Sequence, residues 1–148
     1  MSVDGRASRN ELTLAQIVDR CTEALGGSAA IEKVHSIQIA MNIKEAAFDL
    51  DGIYVADRKL RMRIDVSSGQ RRVYTEAYDG EKAWQMGSDG QAKDSSPEGT
   101  AALRHGILFP GKLFGFHEQE SIGNHLELAG REAVDGVDGA ASRAAWVA

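Results

Sequence analysis

A chain of 148 residues has the length of one ordinary domain and can bury roughly 68–70% of the surface that its unfolded form exposes. Hydrophobic residues at 43% and charged residues at 26% exclude a disordered or collagen-like chain, while only 6% aromatics leave the core to Ile, Leu, Val, Met and Ala. Seventeen bases against 22 acids give a net charge of −5 with no basic stripe, which argues against nucleic acid as a partner.

Residues 1–11 contain no apolar stretch and read as a disordered leader, or as what remains where an export signal has been replaced. Residues 12–25 then place Leu14, Ile17, Val18, Cys21 and Leu25 on one side at helical spacing. Thr13 and Gln16 have the spacing of a capping box, and Gly26-Gly27 ends the helix. Cys21, the sole cysteine, excludes an internal disulfide and reads as a structural thiol on that helix. Ser28 starts a short second helix that runs to Val34.

From Ser36 the period becomes two. Ile37, Ile39, Met41 and Ile43 alternate with polar or small residues and predict a half-buried strand. Phe48 and Leu50 alternate with acids, Gly52 suggests a bulge or bend, and Ile53-Tyr54-Val55 resumes the strand. Leu60, Met62, Ile64 and Val66 alternate with Arg61, Arg63 and Asp65. Arg72 to Tyr78 and Lys82 to Met86 follow, separated by the Asp79-Gly80 turn. Short turns between these segments predict an antiparallel meander with one wet face and one covered face.

Gly87 to Gly99 reads as a loop, and Pro97-Glu98 starts a helix through His105. Phe109 to Phe116 is an apolar stretch suited to a flap, and residues 125–134 predict a further strand. The Gly- and Ala-rich residues 137–148 read as a poorly ordered tail, which leaves 12–136 as a single domain.

Sites of known chemistry are sparse. His35, His105, His117 and His125 form no metal-ligand spacing, and there is no Cys-x-x-Cys, nucleophile elbow or phosphate-binding glycine loop. No catalytic residue, metal or cofactor is expected. Asp49 and Asp51 share one strand face and read as a solvated pair rather than as acid and base. A weaker alternative is a small hydrolase using His105 or His117 with Glu118 or Glu120. The stronger signal is the apolar sheet face, rich in adaptable methionine.

Several segments carry a family resemblance. Residues 23–37 (EALGGSAAIEKVHSI), the alternating 60–64 (LRMRI), 78–84 (YDGEKAW) and 128–136 (LAGREAVDG) together resemble the bacterial outer-membrane lipoprotein-sorting, or lipoprotein-carrier-like, family. The resemblance runs in order from about residue 12 to 136. It implies an α+β fold, with N-terminal helices packed on a curved antiparallel sheet that forms an incomplete open β-barrel. It also implies a non-enzymatic carrier of lipid, acyl or other apolar ligands in the periplasm or cell envelope, with transient contact to envelope lipoproteins or membrane. The expected ligand lining is Ile39, Met41, Leu60, Met62, Ile64, Trp84, Phe109 and Phe114. Members of that family continue with further strands after the Val-x-Gly turn, whereas this chain resembles a form lacking them. A homodimer is therefore expected, covering an otherwise open sheet edge or apolar face. A structural domain that only dimerises through that face is a further alternative.

Overall fold

The computed structural model describes residues 12–111, 113–134 and 137–146. The α+β class with an open antiparallel sheet is what forms. The chain divides into two compact units. Among the described residues, one takes in 12–28 together with those from 116 onward, and the other those between 29 and 115. The expected leader, 1–11, lies outside the described residues.

The first unit opens with α1 (Leu14–Ala24). The Thr13 hydroxyl accepts the Gln16 amide while the Gln16 side chain accepts the Thr13 amide, the reciprocal capping box the spacing predicts. At the other end Gly26 and Gly27 adopt positive φ, and their amides return to Glu23 and Thr22 carbonyls in a Schellman arrangement. Leu25, the C-cap residue just before those glycines, is exposed and does not share the packed side of α1. Two 3-10 turns, Phe116–Glu118 and Glu120–Ile122, lead to β7 (Asn124–Val134). Between them sits Gln119, fully buried. Its carbonyl accepts the Asn124 amide and its Oε1 accepts Asn124 Nδ2 at 2.7 Å. Residues 137–146 pair with β7 as the antiparallel strand β8 (Val137–Trp146) instead of trailing as an irregular tail. Pairing with a long neighbour supplies the order that Gly- and Ala-rich residues do not specify themselves.

The second unit is built on six strands in sequence order: β1 (Ser36–Glu45), β2 (Phe48–Asp57), β3 (Met62–Ser68), β4 (Arg71–Tyr78), β5 (Ala83–Gly87) and β6 (Ala92–Asp94). Every neighbouring pair is antiparallel, and the sheet is left open with β1 and β6 at its edges. β6 lies within the segment expected to be a loop. Gly52 does not bulge its strand; it pairs in register with Met41. A Cβ there would sit 2.8 Å from Met41 Cγ, so the glycine makes room for that side chain. The irregularity lies instead between Val66 and Ser67 of β3, where a bulge sharpens the local twist.

Two connections hold this unit's cover in place. Asp57 opens the β2–β3 turn, where its carboxylate accepts the Lys59 and Arg61 amides and the Arg61 guanidinium. Next to it, Arg58 donates to the carbonyls of Val34 at 2.7 Å, Ile31 at 3.0 Å and Leu113 at 2.6 Å. Its guanidinium also lies 4.8 Å over the Phe114 ring. One side chain thus links α2 (Ser28–Glu32) and its exit, the sheet, and the segment after α3. α3 (Pro97–Leu108) is capped by Ser96, begins on Pro97 and extends past the expected His105 end to bury Ile107 and Leu108. It approaches β4 and β5.

Candidate functional site

Strand register sorts the sheet's side chains into two faces. One row runs Ile37, Ala56, Met62, Tyr78, Ala83; the next runs Ile39, Tyr54, Ile64; a third runs Met41, Gly52, Val66, Tyr74; the last pairs Ile43 with Leu50. All lie on one face, and the rows differ in cover. Ala56, Met62, Tyr78 and Ala83 are buried, whereas Ile43 is 39% exposed and Ile39 37%. Phe48, on the same face beside Glu45, is 46% exposed. Met41, Leu50, Ile64 and Val66 are half-buried. Burial pushes the Tyr54 hydroxyl above the usual phenol range, as expected for apolar surroundings.

The apolar face has a polar margin. On β4 and β5, Tyr74, Glu76 and Gln85 occupy the same face, and the Tyr74 hydroxyl donates to Gln85 Oε1 at 3.2 Å. Burial, followed by the neighbouring Glu76 carboxylate, raises the Tyr74 hydroxyl as well.

The opposite face carries ion pairs. Asn42 Nδ2 donates to Asp49 at 2.7 Å and to Asp51 at 3.1 Å, and Lys44 pairs with Asp49 at 3.2 Å. Asp49 and Asp51 therefore share a solvated, partnered face, as their spacing predicts. The hydroxyl of the fully buried Thr75 donates to Asp65 at 2.6 Å and accepts from Arg72 at 3.2 Å. The Arg63 guanidinium, seconded by Thr75, holds the Asp65 carboxyl below the usual carboxylate range. Arg61 does the same for Asp57.

The eight expected lining residues separate. Ile39, Met41, Met62 and Ile64 come together on the apolar face, with Met62 buried at its covered end. Leu60 is not in a strand; it sits in the β2–β3 turn at φ 59°, a left-handed conformation rare for leucine. Trp84 is on the ion-paired face, because the pairing of Tyr78 with Ala83 assigns Ala83 to the apolar one. Phe109 caps the end of α3 and is 53% exposed, while Phe114 is buried beneath Arg58. The glutamine and asparagine of the Gln119–Asn124 bracket carried no signal in the sequence beyond their spacing.

Two grooves in the second unit touch the covered row of that face, one at Ile37, Ala56 and Met62 and the other at Tyr78 and Ala83. One of about 390 Å³ crosses the first residues of β1 and their neighbours, lined by Ser36, Gln38, Val55, Arg61 and Arg63 among others. Another of about 570 Å³ runs between α3 and the β4–β5 turn, with Tyr78, Lys82, Ser95, Thr100 and Arg104 in its walls. The Ser95 hydroxyl is buried there without a hydrogen-bond partner among the described residues. His105 is on α3, whereas His117, Glu118 and Glu120 belong to the 3-10 turns of the other unit. Among the described residues no three His, Cys, Asp or Glu side chains gather as a metal site, and no helix is long and apolar enough to cross a membrane.

Compared with known proteins, the chain matches no family model, no curated protein and no solved structure.

Proposed function

We propose that this protein is a non-enzymatic binding or carrier protein for lipidic, acyl or similar apolar ligands, working in the bacterial envelope. The observation that carries this reading is the exposed end of the apolar sheet face. Ile39, Ile43 and Phe48 stand open beside half-buried Met41, Leu50 and Val66. Contiguous exposed apolar surface of this kind marks a binding surface more often than a solvent-facing one. An acyl chain laid along it would remove those side chains from water, at about 25 cal/mol for each Å² covered. Met41 would adapt to its shape. The margin of Tyr74, Glu76 and Gln85 is where a polar head group would find hydrogen-bond partners. The envelope location rests on the resemblance to lipoprotein carriers alone.

Because Trp84 lies on the opposite face, its fluorescence is a poor reporter; Phe48→Trp puts an indole beside the ligand instead. Titration of that variant with a fatty acid is expected to give a saturable blue shift, and Ile43→Asp to abolish it. A flat titration, together with no lipid extracted from the gently purified protein, would sink the reading.

A further inference from the structure

The two edges of the six-stranded sheet are unequal. β6 is three residues long, fully exposed, and carries Lys93 and Asp94. β1 is ten residues long and, among the described residues, pairs only with β2. In an antiparallel strand about half the backbone amides and carbonyls point away from the one neighbour, so β1 presents a row of open hydrogen-bonding groups. Residues 36–43 of that edge have no charge and no proline, the devices that normally discourage another strand from joining.

We propose that β1 pairs antiparallel with β1 of a second copy of this chain, centred on Ala40. The register follows from self-complementarity. With Ala40 on the two-fold axis, Ile39 meets the partner subunit's Met41 and Ile37 meets the partner subunit's Ile43, all on the apolar face. Gln38 then meets the partner subunit's Asn42 on the polar face, and Glu45 falls opposite the partner subunit's His35, an acceptor facing a donor. Moving the centre to Met41 sets Glu45 against the partner subunit's Ile37, and moving it to Ile39 sets Ile43 against the partner subunit's His35. Single-residue offsets between these reverse the faces of one copy altogether.

The pairing closes at two copies, since what remains at either end is the short, charged β6 edge. It also joins the two apolar faces across the seam, so the partner lengthens the surface assigned to the ligand. The edge argument does not rest on the ligand reading, and the two are measured separately; failure of either leaves the other standing.

Sedimentation velocity at micromolar concentration is expected to show a dimer that Ala40→Lys converts to monomer, because two ammonium groups would be directly opposed on the axis. Ala40 is exposed on the polar face, so the variant should keep the wild-type circular dichroism spectrum. Cross-linking supplies an independent readout in a Cys21→Ser background. Ala40→Cys should oxidise to a disulfide dimer. Gln38→Cys should not, because the two copies of position 38 are four residues apart in this register, about 13 Å. A monomeric wild type, a dimer indifferent to Ala40→Lys, or equal cross-linking at positions 38 and 40 would each overturn the proposal.

Discussion

At one end of the apolar sheet face Ala56, Met62, Tyr78 and Ala83 are buried; at the other, Ile39, Ile43 and Phe48 stand in the open. Both ends follow the same alternation, and neither is more hydrophobic in sequence. The difference lies in what is anchored above them. Near the covered end, Arg58 ties the exit of α2 and the Leu113-Phe114 segment to the β2–β3 turn, and α3 lies by β4 and β5. The far end of β1 and β2 has no such fastening among the described residues. Alternation specifies which side chains share a face; the cover is specified by a few long-range polar contacts.

Truncation at each end should separate them most sharply. Met62→Ala removes a buried side chain and is expected to cost about 2–4 kcal/mol in chemical denaturation, against less than about 1 kcal/mol for the exposed Ile43→Ala. Equal losses would mean that the open end is covered in solution. A smaller effect is expected at the junction of the two. Gly52→Ala forces its new methyl against Met41 Cγ and should destabilise by about 1–2 kcal/mol. In a Met41→Ala background the clash is gone and the same change should become neutral or stabilising, because alanine restricts the unfolded chain more than glycine does. Absence of that reversal would show that Gly52 serves something other than Met41.

The smallest effect belongs to the ion-paired face behind both ends. Arg61 and Arg63 lower the Asp57 and Asp65 carboxyls, so these groups stabilise the fold fully above the ordinary carboxylate value near 3.9. That contribution is lost as pH falls below it, through the lowered folded values. Both pairs are partly exposed, with their guanidinium groups open to solvent, so the loss should be slight. The melting temperature is expected to drop less steeply below about pH 4 in Asp57→Asn/Asp65→Asn than in wild type; identical slopes would remove these pairs from the account.

Much of the architecture is legible in the sequence. Period-two alternation locates β1 to β5, and the Thr13–Gln16 pair locates the start of α1, because both are local signals. What escaped depended on neighbours. β6 is three residues whose strand character comes from β5, and β8 takes its order from β7. Trp84 falls on the ion-paired face because parity holds within a strand but must be carried across each turn by register. Leu60 continues the alternation of β3 by spacing, yet the turn begun at Asp57 extends through it. Of the eight expected lining residues, the four on β1 and β3 share the apolar face through their alternation, whereas the polar margin depends on register carried from β3 to β5. Arg58 was invisible as an organiser, since nothing local records how far a guanidinium will reach.

The notch at Gly52 also gives the apolar face a chemical vulnerability. Met41 leans into that notch and remains half-exposed, whereas Met62 is buried. Peroxide would therefore reach the thioether of Met41 before that of Met62, and the sulfoxide it forms is polar and chiral. Oxidation at this one sulfur would place a strong dipole in the middle of the exposed apolar face, the surface proposed to bind ligand, while leaving the covered core intact, and a sulfoxide reductase would restore it.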